Sequence, residues 1–444
     1  MSVRATELPK AYHQAVERWR DTYLPDFGLL VERWDQFFPK DRPFRLCAYR
    51  ECGPCGKIEC GERKGEEKFV QVGEMGPDQA THLLSAVRAQ ASTEFGSIQQ
   101  HQLTLSRAQD EQDQFWILRM MAEELRHGYQ MLHLLLNDDW SKATSRSGAD
   151  MVEEILSMRT GSHILGTFNV DFDSFVDNIV FCALIDRVGK YQLSMQKVSA
   201  YRPMAESMPE MLREEAFHLA AGVLPLRRWA EQAAQDSVYV SMPLMQKVIN
   251  KWLPRGLEMF GHEKGGATNV RYGFKPMVNA EAQQAYYREV GRVLSDLNLR
   301  FIRSRFPELS HGEALELRRR VLDEGEVVQG MGPEDLLRQP HMDFYRRRGE
   351  PAFALVGFSG EVFEDPDLYL RHVLGHMPET YAAGRDFKGY ADLLRQVHSG
   401  KLEAQEAARK TPNLSRVGGV CPCSKAVRWV DRGVTEAGLS PGAS

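Results

Sequence analysis

Apolar positions recur every three or four residues along most of this chain, the signature of helices with one buried face. The pattern predicts a helical hairpin over roughly 78–104 and 108–137, and a second over 168–202 and 205–234 with its turn near Pro203. The two hairpins form one weak internal duplication. Further helices are expected at 240–259 and 280–304, and an aromatic-rich one over 8–38, from Trp19 through Trp34 to Phe38. Segment 45–77 breaks this pattern with four cysteines and many glycines, and reads as a small knuckle or irregular hairpin. The polar linker 138–165 is expected to hold a short helix at Met151 to Met158, and the glycine-rich stretch 262–278 to be a loop. Ala352 to Phe363 alternates apolar residues around Ser359-Gly360, the period-two pattern of a β-hairpin. The expected fold is therefore mainly α. Residues 1–77 form an N-terminal helix and Cys-rich segment, 78–260 a four-helix bundle, and 261–444 a helical C-terminal extension with a short β-hairpin.

Polar residues interrupt the apolar stripes in a pattern that carries chemistry. Glu124-Leu125-Arg126-His127 and Glu215-Ala216-Phe217-His218 are two copies of Glu-x-x-His, ninety-one residues apart. A spacing of three puts both side chains on one face of a helix. Each copy follows a further acid on the preceding helix: Glu94 stands thirty residues before Glu124, and Asp186 twenty-nine before Glu215. The apolar neighbours on these faces (Val87 and Ile98; Ile117, Met120 and Met131; Ile179, Cys182 and Leu193; Met211) turn all six residues inward. Four converging buried carboxylates repel one another and need protons, cations or metal. No Lys or Arg falls cleanly on these faces, although Lys190 lies four residues after Asp186. Two divalent ions balance the four carboxylates with both histidines neutral. An acid helix, a Glu-x-x-His helix and the same pair again is the ligand plan of a di-metal carboxylate bundle. Oxygen-rich ligands with one imidazole per ion suit iron, or a manganese–iron pair, better than metals that prefer sulfur. Glu94, Glu124 and His127 are expected to hold one ion, Asp186, Glu215 and His218 the other, with Glu124 and Glu215 bridging. Glu123 and Glu214, next to the chosen glutamates, are expected to be solvated or to support the ligands from outside.

Charge and composition narrow the rest. The net charge of −5 with no long basic run argues against nucleic acid as the partner. The longest apolar runs, such as Ile179 to Ile185, fall far short of a membrane span. Met1 to Glu7 lacks the apolar core of a signal peptide, so the expected location is the cytoplasm.

The motifs Thr93-Glu94-Phe95, Glu123-Glu124-Leu125-Arg126-His127, Ile185-Asp186-Arg187 and Glu214-Glu215-Ala216-Phe217-His218 resemble those of the acyl-CoA ring epoxidases. These are the ferritin-like di-iron oxygenase components of benzoyl-CoA 2,3-epoxidase and phenylacetyl-CoA epoxidase. The aspartate at 186, the overall length, and Phe344-Tyr345-Arg346-Arg347-Arg348-Gly349 before the expected hairpin look more like the benzoyl-CoA enzyme. The resemblance implies a di-iron, O₂-dependent monooxygenase that epoxidises the ring of an aromatic CoA thioester. It also implies electrons from NADPH through a separate reductase, and leaves a homodimer open. Gln90, four residues before Glu94, matches a glutamine that supports the site in that family. CoA phosphates need basic residues, for which Arg318-Arg319-Arg320 and Arg346-Arg347-Arg348 are candidates. A di-iron oxygenase or N-oxygenase on a substrate without CoA, a ferritin-like iron protein and an inactive scaffold subunit are the competing classes.

The cysteines depart from that family. Cys47, Cys52, Cys55 and Cys60 are close enough in sequence to hold one ion, and a structural zinc is the first reading. An iron–sulfur cluster or reduced thiols are the alternatives. Cys421 and Cys423 form a looser pair.

Overall fold

The computed structural model describes residues 56–235, 239–261, 263–347 and 353–411. The helix expected over 8–38, Cys47, Cys52, Cys55, Arg348, Cys421 and Cys423 lie outside the described residues. Among the described residues there are thirteen α-helices and no extended sheet. The long ones are α1 (Pro77–Gln102), α2 (Glu111–Leu136), α4 (Phe175–Gln196), α5 (Arg202–Ala233), α6 (Met242–Met259) and α8 (Asn279–Arg305). Short helices α3 (Gly148–Ser157), α7 (Glu263–Arg271) and α9 (His311–Asp323) connect or flank them. The C-terminal part adds α10 (Pro366–His376), α11 (Glu379–Ala383), α12 (Arg385–His398) and α13 (Ala404–Lys410).

Local chemistry sets the helix starts. Pro77 occupies the first turn of α1, where its missing N–H costs nothing. Asp110 caps α2 by accepting from the Gln112 N–H at 2.8 Å. Ser174 and Asp177 form a reciprocal capping box at the head of α4. Asp177 also receives Lys251 Nζ at 2.7 Å and Trp252 Nε1 at 2.9 Å, which ties α6 to that end of α4.

The hairpins α1–α2 and α4–α5 pack as the expected four-helix bundle, with α6 against α4 and α8 against α5. Within the second hairpin the two helices come close at Gly222. A Cβ there would stand 2.3 Å from the Ala183 backbone nitrogen, so any larger residue must push α4 and α5 apart. Gly222 lies one turn after His218 and Ala183 about one turn before Asp186, so this contact also sets how near those two side chains come. No helix among the described residues is long and apolar enough to cross a membrane.

Two expectations need correction. The presumed loop 262–278 contains helix α7, which packs against α8 despite its two central glycines. In the expected hairpin the described residues, 353–363, form no strands: a single antiparallel bridge joins Val356 and Val362 around a turn. Phe358 turns away from any ladder and packs instead 5.7 Å from Phe344 and 5.0 Å from His376, centroid to centroid. Within 45–77 the described part is mostly irregular, with one bridge between Lys57 and Glu67, another from Phe69 to Tyr201, and a 3-10 turn at Val72–Glu74.

The Gly222 contact predicts that Gly222→Ala destabilises the protein by about 1–3 kcal/mol, the range for overpacking a tight interface. A denaturation midpoint equal to that of the parent protein would refute the close approach.

Candidate metal centre

All six sequence-selected residues are buried, at 5% relative exposure or less, and converge in the middle of the bundle. Oxygen and nitrogen atoms of Glu94, Glu124 and His127 form one trio compact enough to hold a metal ion. Glu124, Asp186 and His218 form a second, so Glu124 belongs to both. Its carboxylate reaches both imidazoles: Oε2 is 3.6 Å from His127 Nδ1 and Oε1 is 3.7 Å from His218 Nδ1. Glu215 comes within 3.2 Å of His218 Nδ1 through Oε2. Its other oxygen fills the space beside Gly189, where a Cβ would stand 2.4 Å away. Gln90 donates from Nε2 to Glu94 Oε1, so it holds one ligand candidate by the neighbouring turn of α1.

The acids expected to be solvated or supporting are supports. Glu123 is buried, and Glu214 is largely so. Each grips the histidine of the opposite helix. Glu123 Oε2 on α2 lies 3.1 Å from His218 Nε2, and Glu214 Oε2 on α5 lies 2.9 Å from His127 Nε2. Arg119 Nε holds Glu123 at 3.0 Å and Arg126 Nη2 holds Glu214 at 2.7 Å. With Nε2–H engaged this way, a neutral imidazole presents its Nδ1 lone pair to the carboxylates. Glu123 and Glu214 stand four residues before their own histidines, so spacing alone also put them near the inward face.

Without a counter-charge this interior is strained electrostatically. Burial, then the charge on Glu215, pushes Asp186 up to about 8. Burial and neighbouring Glu94 raise Glu124 well above the carboxylate range. Burial opposes charge on His127 and His218, yet their carboxylate partners, Glu124 and Glu214 for one and Glu123 and Glu215 for the other, raise both well above the usual imidazole value. Asp186 Oδ2 and His218 Nδ1 are buried with no hydrogen-bond partner. Buried polar atoms left unmatched among converging carboxylates are what a metal site looks like to the protein alone. Lys190 does not relieve the charge: it pairs at 2.8 Å with Glu289 of α8.

A cavity of about 1520 Å³ reaches the carboxylates Glu94, Glu124, Asp186 and Glu215. Of the arginine clusters, Arg346 lines this cavity and pairs with Asp343 at 2.8 Å. Arg347 is buried against Glu258 and Asp386. Arg319 and Arg320 are engaged by Glu316, Glu324 and Glu326, and none of Arg318 to Arg320 lines the cavity. Cys60 is the described member of the N-terminal cysteine group. Its thiol donates to the Lys275 carbonyl at 3.2 Å, and burial with the Glu59 charge pushes its pKa up.

Comparison with known proteins now bears on this geometry. Residues 101–313 match the model of the phenylacetic acid catabolic protein family. The match takes in Glu124, His127, Asp186, Glu215 and His218, and begins just after Glu94. The chain is also 27% identical over 239 residues to "Benzoyl-CoA oxygenase component B" of Aromatoleum evansii, covering 49% of this chain and 49% of that protein. The chain thus spans about half the length of the curated relative it matches.

Two outcomes follow from the metal-free electrostatics. Asp186 has its folded value raised, so the stability it favours is present below the ordinary carboxylate range and is lost as pH climbs towards about 8. His127 and His218, also raised, contribute stability below about 6.5 that is lost as pH rises through their folded values. Glu94 and Glu214 are lowered and act below their ordinary range, outside this window. Metal-free protein is therefore expected to have a lower denaturant midpoint at about pH 8.5 than at about pH 6, and saturating metal to flatten the slope. An equal midpoint at both values without metal contradicts the charge assignment. Separately, Glu123→Gln or Glu214→Gln is expected to weaken metal affinity by roughly 10- to 100-fold in chelator competition. Unchanged affinity in both variants would remove their supporting role.

Proposed function

We propose that this chain is the oxygenase component of a multicomponent di-iron monooxygenase that epoxidises the ring of an aromatic acyl-CoA thioester. The observation that carries the reading is the sharing of Glu124 by two compact ligand trios at the floor of a large cavity. The relative's name supports the substrate class, since that protein is called a benzoyl-CoA oxygenase component. Glu94, Glu124 and His127 would hold one iron, and Asp186, Glu215 and His218 the other. Glu124, which faces both histidines, would serve both ions, and Glu215, 3.2 Å from His218 Nδ1, would join it on the second side. The donor set fits: four carboxylates and two imidazoles match two divalent ions in charge, and the orphaned Asp186 Oδ2 and His218 Nδ1 each lack a partner that a metal supplies. When bound, reduced iron supplies the chemistry that activates O₂, with electrons from NADPH delivered by a separate reductase.

The chain's own residues do the rest. Glu123 and Glu214 keep the His218 and His127 Nε2 protons on the outer side, so both Nδ1 atoms face the centre. Gln90 restrains the Glu94 carboxylate, leaving less freedom for it to swing away from the ion. Apolar walls, including Phe168, Ile185, Leu257 and Phe260, exclude water and hold an aromatic ring over the carboxylate floor. The domain division at 78–260 and 261–444 fits this reading: chemistry in the bundle, and much of the substrate enclosure beyond it. A storage role would leave the cavity without a use.

Purified protein is expected to bind close to two irons per chain, and Glu124→Ala to lose both together with turnover. With a reductase, NADPH and O₂, a panel of CoA thioesters read by mass should give a one-oxygen gain on an aromatic acyl group. A folded chain that binds no iron, or a Glu124→Ala variant that keeps both ions and full activity, would sink the assignment.

A further inference from the structure

The cavity is long as well as large. On α1 its wall runs from His82 to Ser97, about 22 Å of helix rise, with Glu94 near one end. On α4 it runs from Ile185 to Gln196, with Asp186 at the corresponding end. The groove therefore leads from the carboxylates towards the start of α1 and the end of α4. One cation in it is used by nothing described so far. Lys275, in the connection between α7 and α8, lines the cavity, and its Nζ donates to Gln192 Oε1 at 2.8 Å. A neutral amide is a poor counterpart for an ammonium. Burial alone acts on Lys275 and lowers it to about 8, and among the described residues no carboxylate pairs with it. The other cations on the wall are differently placed: Arg346 pairs with Asp343, and Arg409 on α13 is exposed.

The backbone behind Lys275 is fixed. Cys60 Sγ donates to the Lys275 carbonyl at 3.2 Å, Ala200 N–H donates to the Gly273 carbonyl at 2.8 Å, and Glu62 N–H to the Arg271 carbonyl at 2.9 Å. Gly273 has a φ of +77°, and a Cβ there would stand 2.8 Å from the Cys60 carbonyl, so the turn that aims Lys275 is itself built for this packing. Gln192, which holds the ammonium, is six residues after Asp186, or about 9 Å along α4. A donor carried on a fixed backbone thus meets α4 about 9 Å of helix rise beyond Asp186.

We infer that Lys275 is a positioning residue for the substrate arm: its ammonium hydrogen-bonds a carbonyl oxygen of the acyl thioester's amide-bearing tail and so fixes which ring carbons lie over the carboxylate floor. This rests on the acyl-thioester reading of the site. A lysine with three donors and one neutral acceptor has capacity for such an oxygen, and the groove is too long for an aromatic acid alone.

The test pairs a truncated substrate with a substitution. The N-acetylcysteamine thioester of benzoate carries an amide carbonyl beyond the sulfur, and S-ethyl thiobenzoate does not. Dissociation constants are measured on metal-loaded, unreduced protein. Wild-type protein is expected to prefer the amide-bearing thioester by roughly 10- to 100-fold, the range for a hydrogen bond to a charged group. Lys275→Met is expected to abolish that preference while leaving the constant for S-ethyl thiobenzoate unchanged, which also shows that the cavity is intact. Lys275→Arg should keep part of it. In turnover, Lys275→Met should scatter the position of oxygen insertion on benzoyl-CoA. No preference in the wild type, or an undiminished preference in Lys275→Met, overturns the inference while the oxygenase reading stands. Wild-type protein that binds neither thioester and oxidises no acyl-CoA overturns both.

Discussion

Four buried carboxylates in one helical core are the constraint on which the rest of this structure depends. Taking one carboxylate out of water costs several kcal/mol, and placing four together adds mutual repulsion. The protein alone cannot meet that cost: Asp186 and Glu124 are driven towards their neutral forms, both histidines towards their charged forms, and two polar atoms stay unpartnered. Protons are one remedy and divalent ions the other. The same glycine contact that brings α4 and α5 together at Gly222 leaves the carboxylates no room to separate. A fold that tolerates such a core at pH 7 is organised for cations.

The two Glu-Glu-x-x-His stretches solve a second problem, orientation, by crossing. On each helix the second glutamate faces the centre with its own histidine, while the first reaches across to the histidine of the other helix. Neither α2 nor α5 can hold its imidazole unaided. A one-residue slip of either helix would remove a ligand and a support together, so register and site geometry are one property. Arg119 and Arg126 extend the arrangement outward by holding the supporting carboxylates in place. The pairing explains why the duplication spans five residues rather than four.

The ligand set was legible because helix periodicity converts spacing directly into a shared face, and apolar neighbours such as Met120 and Ile179 say which face is inside. The roles of Glu123 and Glu214 were not, because positions three and four before a histidine both point near it. Only the packing of α5 on α2 decides that each reaches over to its opposite number. Helix α7 was missed for a related reason: Gly265 and Gly266 oppose helix in isolation, and packing against α8 overrides them. Alternation in Ala352–Phe363 suggested strands, yet a two-strand ladder with no third partner is marginal, and Phe358 stacks on His376 instead. Lys275 could not be read at all. A lone lysine in a glycine-rich stretch acquires meaning only when a long-range contact, Cys60 to its carbonyl, aims it into a cavity.

Floor and roof of that cavity come from different parts of the chain, and this separates two kinds of specificity. The carboxylates arise from α1, α2, α4 and α5, whose register is locked by the crossed pairs. Pro254, Leu257, Phe260, Asn279, Phe344 and Gln405 enclose the space from α6, α8 and the segments beyond. Roof residues touch no ligand pair described above, so they can vary without disturbing the charge balance of the floor. The family match covers the floor from α2 onward and stops at residue 313, before the last roof segments. The match therefore takes in most of the floor together with the first roof residues, Pro254, Leu257, Phe260 and Asn279, while Phe344 and Gln405 lie beyond it. The substrate has to be argued from the roof and from Lys275, not from the metal ligands.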